Sequence, residues 1–264
     1  MLPIVLAATF YAIATLWLAR DARAFGEPQG RGWLWAAIPA VTLHAFIHWL
    51  GWHQTGATDM HFFAALSLVG LGMAALTVLG AVGGPARALG VVVFPLAACA
   101  MIAYALYGHT TRPEPLGWQL LLHAWLALLA YATLSLAAVL AVFLWTQERA
   151  LRRREFHAWL RVLPPLTELE SLLFRTIGAG FVLLTATLLT GAVFVENLFA
   201  QHIVHHTALS ILSWLAFGAL LLGRWRLGWR GRTAVRWTLT AMTLLVLAFF
   251  GSKFVLELVL RRGV

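Results

Sequence analysis

Histidine is the residue type in this 264-residue sequence best suited to chemistry, and nine of the ten histidines fall on one side of the membrane that the chain's own apolar segments define. Imidazole ligates haem iron and transition metals at neutral pH, so that asymmetry points to a haem or metal site. His44 and His48 stand one helical turn apart and share a face. By helical rise, His44 lies about 12 Å below the outer end of its segment and His123 about 8 Å below the outer end of another. Two imidazoles at similar depth on different helices can clamp a flat macrocycle between them, the arrangement of a bis-histidine haem b. His53, His61, His109, His202, His205 and His206 lie in or beside loops on the same side, and His157 alone lies on the other. Loop histidines have a plainer role in solvating the chain, and a buried one can be a hydrogen-bonded helix contact contributing about 1 kcal/mol. Ionisable groups inside a span are costly and mark function, which sets His44 and His123 apart.

Long apolar elements must position these side chains. The sequence is 61% hydrophobic and 11% charged, outside the range of soluble globular domains. Stretches of about 20 apolar residues, enough to cross a hydrocarbon core of roughly 30 Å, number eight. They run near 2–19, 33–52, 60–82, 89–107, 118–146, 174–195, 207–223 and 234–260. The expected fold is all-α: a polytopic membrane helix bundle of about eight transmembrane helices forming one membrane domain over 1–264. The first five spans fill 1–146, a cytoplasmic amphipathic linker covers 147–173, and the last three spans fill 174–264.

Charge sets the expected orientation. Fifteen of the 19 Lys and Arg residues fall in the loops after the first, third, fifth and seventh spans, and four on the opposite face. Because short basic loops stay cytoplasmic, both termini are expected to be extracytoplasmic, in a bacterial inner membrane. Trp33, Trp35, Trp145, Trp225 and Trp229 then mark the inner boundary and Trp49, Trp52 and Trp118 the outer one. The net charge of +9 reads as a topology signal and not as a nucleic-acid surface, and the run Arg152-Arg153-Arg154 is placed to meet anionic membrane lipid. The first span lacks a basic n-region and ends in Leu18-Ala19-Arg20-Asp21, so it reads as a retained helix. Cys99 is the sole cysteine, which excludes an internal disulfide or Cys-x-x-Cys pair. There is no nucleotide-binding Gly loop, no His-Glu-x-x-His and no local carboxylate pair, so the sequence is not expected to be an enzyme.

Several stretches carry a resemblance. His123-Ala124-Trp125-Leu126-Ala127-Leu128-Leu129-Ala130-Tyr131-Ala132 resembles the His-x-x-x-x-x-x-Ser-Tyr-Ala segment of the haem-handling cytochrome c assembly proteins of the CcsA/CcmC type. Phe174-Arg175-Thr176-Ile177-Gly178-Ala179-Gly180-Phe181, with Leu184-Thr185 and Thr190-Gly191-Ala192-Val193, is similar to a later helix of that family. Gly228-Trp229-Arg230-Gly231 resembles its next inner loop and Phe250-Gly251 its last helix. The resemblance covers about 118–260, and the whole layout is most similar to the YpjD-like inner-membrane branch. It departs at the Trp-rich loop, where this sequence has Glu196 to His206 with no tryptophan, and at two histidine positions, one at the inner end of the following helix and one at the end of the last, here Leu222 and Leu260.

The resemblance implies a haem-handling membrane protein related to cytochrome c assembly, working with other cytochrome assembly proteins. It carries the first extracytoplasmic haem histidine onto His123. The second axial ligand falls to His44 or to the His205 and His206 pair, and His48, on the face of His44, completes the cofactor-binding set. The same histidines admit another reading, a transporter or transport accessory for a divalent metal.

Overall fold

The computed structural model describes residues 1–25, 30–81, 85–108, 116–154, 163–194, 204–251, 253 and 254. Eight α-helices form it: α1 (Leu2–Phe25), α2 (Leu34–Thr55), α3 (Phe62–Ala81), α4 (Gly90–Tyr107), α5 (Trp118–Arg153), α6 (Leu166–Phe194), α7 (Val204–Leu227) and α8 (Gly231–Val246). A 3-10 turn, Pro85–Leu89, leads into α4, and a π-helical segment, Leu247–Gly251, continues α8. All eight are long and apolar enough to cross a membrane, as expected, and there is no strand among the described residues.

The differences from the expected spans are at the helix ends. Both α5 and α6 enter the stretch 147–173 expected as linker. Gln147, Glu148, Arg149, Ala150, Leu151, Arg152 and Arg153 are polar in sum yet are good helix formers, so loss of hydrophobicity does not end the helix. What ends α5 is Arg154, left-handed at φ 56°, whose N–H caps the carbonyls of Ala150 and Leu151. What starts α6 is Pro164-Pro165, with the Pro165 carbonyl accepting from the amides of Glu168 and Leu169.

The helices pack as two groups of four. In one, α1 lies against α2 and α4, and α3 against α4 and α2; in the other, α5 lies against α6 and α8, and α7 against α8 and α6. The groups meet where α3 packs on α5. Small residues allow that approach: a Cβ added at Gly72 would stand 2.8 Å from the Ala132 Cβ. The grouping does not follow the chain's own division at the linker, since α5 joins the helices that come after it.

The two ends of the bundle differ in chemistry. At the arginine-rich end, the carboxylate of Glu170, 4% exposed, accepts from Arg230 through Nε at 3.0 Å and Nη2 at 2.9 Å, and from Arg224 Nη1 at 3.1 Å. The Arg224 guanidinium also lies 4.7 Å from the centre of the Phe174 ring, so one acidic residue ties α6 to the α7–α8 turn. The other end carries the histidines.

Candidate functional site

Histidines in the two helix groups belong to separate polar clusters. In the first, α2 presents His44 and His48 one turn apart, their rings stacked at 5.6 Å. Three neighbouring helices supply partners. Tyr11 of α1 places its hydroxyl 3.2 Å from His44 Nδ1, and Ser67 of α3 places its Oγ 2.9 Å from the Nε2 of both histidines. Tyr104 of α4 stacks on His48 at 4.7 Å. Ser67 has a single proton, so it donates to one imidazole and accepts from the other. Both ring nitrogens of fully buried His44 are therefore occupied, and the cluster reads as one hydrogen-bonded chain Tyr11–His44–Ser67–His48.

The second cluster is built on α5. His123, half-buried, places Nδ1 3.2 Å from the Oγ1 of Thr190 on α6. The Thr190 hydroxyl spends its own proton on the carbonyls of Ala186 at 2.9 Å and Thr187 at 3.0 Å. It can only accept from His123, so Nδ1 carries the ring proton and Nε2 carries the lone pair. The Thr190 contact is at Nδ1, so Nε2 is the nitrogen on the other edge of the ring. Gly191 makes room for the ring: a Cβ there would stand 3.0 Å from His123 Cε1.

His206 is presented from the first turn of α7. Its ring meets Phe249 of the π-helical segment edge-on at 6.1 Å. Lys253 donates to the Met60 carbonyl at 2.6 Å and lies 5.4 Å from the Phe249 ring centre. Tyr131, from the Ala-Tyr-Ala part of the α5 motif, donates to the Leu245 carbonyl at 2.6 Å, just before the π-helical segment that presents Phe249. Such wide turns recur at functional sites.

His44 and His48 thus come together, whereas His123 and His206 share only their helix group, on α5 and α7. His44 and His123 belong to different groups: α2 packs on α1 and α3, whereas α5 packs on α6, α8 and α3. His205 lies in the first turn of α7, and its side chain is outside the described residues, as are His109, His157 and His202. His53 is exposed and packs on Trp49 at 4.3 Å. Sequence reading did not single out Ser67 or Tyr11, and Thr190 and Tyr131 entered it only as members of the resembling motifs, with no role of their own. Tyrosine within a span was the one signal available, since the sequence holds only four.

The α6 motif residues hold α7 in place. Thr185 Oγ1 accepts from Trp214 Nε1 at 2.8 Å, and Phe181 stacks on Trp214 at 5.4 Å. Among the described residues no three His, Cys, Asp or Glu side chains gather as a bare cation would need. Haem asks less of the protein, one or two axial nitrogens and apolar walls.

Residues 33–260 match the family model described as Cytochrome C assembly protein. The chain is similar to Inner membrane protein YpjD of Escherichia coli K12, 37% identical over 140 residues that make up 53% of each chain. It is 39% identical over 141 residues to a 28.8 kDa protein in the nifR3-like 5' region of Azospirillum brasilense, covering 53% of this chain and 52% of that one. It is also 26% identical over 134 residues to Protein HemX of Brevibacillus brevis, covering 50% and 49%. The chain spans about half the length of the curated relatives it matches. No solved structure matches it.

Proposed function

This chain belongs to the cytochrome c assembly protein family and is a multi-pass protein of the bacterial inner membrane, and we propose that it is a non-enzymatic haem-handling protein binding haem b through His123 and His206. The observation that carries this reading is the fixed tautomer of His123. A ligating histidine needs one nitrogen with a free lone pair and the other held by a partner that sets its orientation. Thr190 supplies that hold, and Gly191 leaves the ring its space.

His206 is the second axial candidate because its ring lies against Phe249, in the same helix group as His123, whereas both nitrogens of His44 already have partners. Phe249 gives the site an apolar wall. The Lys253 ammonium is suited to a propionate. Bound haem would supply a redox-active or transferable iron centre; the chain's own groups orient the ligand nitrogens and exclude water. The excess of basic residues at the opposite end supports an extracytoplasmic position for this site and for both termini. Other cytochrome assembly proteins are its natural partners.

The test is the haem and metal content of the detergent-solubilised chain expressed with ample haem. Roughly one haem b per chain is expected, and its loss in His123→Ala. A haem-free preparation that retains a stoichiometric divalent metal would overturn this reading in favour of metal transport.

A further inference from the structure

At the arginine-rich end, the last two turns of α5 and the first turn of α8 flank a half-open cavity of about 220 Å³ lined by Trp145, Glu148, Arg149, Arg152, Arg153 and Arg232. We infer that this cavity binds the headgroup of an anionic glycerophospholipid, phosphatidylglycerol.

Charge is the first support. Four guanidiniums face one carboxylate, and Arg149, Arg152 and Arg232 make no hydrogen bond or ion pair among the described residues. The Arg149 guanidinium is instead held over the Trp145 ring, 5.5 Å from its centre. A planar fork fixed in this way is disposed to take two oxygens of a phosphodiester.

Depth is the second. Trp118 and Trp145 both lie on α5, and the helical rise between them is roughly 40 Å, the thickness of a hydrocarbon core with its headgroup layers. Trp145 therefore lies at the outer part of the headgroup layer, and the long side chains of the arginines one and two turns beyond it can reach back to the headgroups from the aqueous side.

The lone carboxylate narrows the choice of headgroup. Glu148 Oε1 packs against Gly231, where no Cβ fits, while Oε2 is buried without a donor. A headgroup that brings hydroxyls beside its phosphate supplies such a donor after a small turn of the carboxylate, and glycerol carries two. Choline carries none, and ethanolamine brings a positive charge into a cavity already rich in it.

The experiment is native mass spectrometry of the full chain, delipidated in detergent and titrated with phosphatidylglycerol, phosphatidylethanolamine or phosphatidylcholine. Phosphatidylglycerol is expected to remain bound at least several-fold more than the other two, and R152A/R232A to lower its retention roughly tenfold. R226A, which removes a basic residue at the same end but outside the cavity, is expected to leave retention unchanged. Equal retention of the three lipids, or an equal loss in R226A, would overturn the inference in favour of diffuse surface charge. Displacement of the lipid by equimolar inorganic phosphate would overturn it in favour of a free-anion site. E148Q tests the carboxylate: it is expected to weaken the preference for glycerol over ethanolamine headgroups, and an unchanged preference would remove Glu148 from the site.

Discussion

Thr190 is the residue on which the chemistry of His123 turns, because a hydroxyl that has already given its proton to its own helix can only accept from the imidazole. Thr190→Val keeps the shape and removes the acceptor, so haem affinity is expected to fall roughly tenfold, measured by haem retention on dilution, with the helix content unchanged. Ser67→Ala is expected to act the other way. Two buried imidazole nitrogens lose their shared partner, which costs on the order of 2 kcal/mol. The thermal midpoint in detergent should fall by several degrees while haem content per folded chain stays the same. A loss of haem in S67A equal to that in T190V would tie the first cluster to the site. At this scale the sequence was half legible. The histidines stood out because ionisable groups inside apolar spans are rare, whereas Ser67 and Thr190 look like ordinary helix-interior hydroxyls until a neighbouring helix turns an imidazole toward them.

Among the elements, α6 has two tasks, presenting Thr190 and Gly191 at one end and Glu170 at the other. Removing one member of a fully buried ion pair costs about 3–5 kcal/mol. Here the two arginine side chains are 33% and 58% exposed and can recover water, so Glu170→Gln is expected to cost closer to 2 kcal/mol, read as a lower unfolding midpoint. An unchanged midpoint would show that the α7–α8 turn is held by Trp229, which stacks on Trp237 at 5.4 Å. Spans were legible from hydropathy to within a few residues, but the ends of α5 and α6 were not. Helix propensity carries α5 through a charged stretch until Arg154 turns left-handed, and hydropathy alone does not register propensity. Nor does any local pattern announce the π-helical segment at Leu247–Gly251, which is set by what Phe249 and Phe250 pack against, His206 and Tyr131 among them.

For the molecule as a whole, the order of spans was readable and their partnership was not. Composition marks eight crossings, but nothing in the chain shows that α5 leaves the four helices before it to pack with the three after it. That exchange is why His44 and His123, at similar depth by residue counting, belong to different clusters. The skew of basic residues predicts the orientation, so a C-terminal alkaline phosphatase fusion is expected to be active, as an extracytoplasmic terminus requires; an inactive fusion that is stably made would reverse the predicted orientation. The pairing of the two axial nitrogens is tested most directly by the reduced absorption spectrum of haem-loaded His206→Ala and His44→Ala, recorded side by side. The sharp α-band of a six-coordinate haem should be lost in His206→Ala and kept in His44→Ala, and the opposite result would contradict the assignment of haem to α5 and α7.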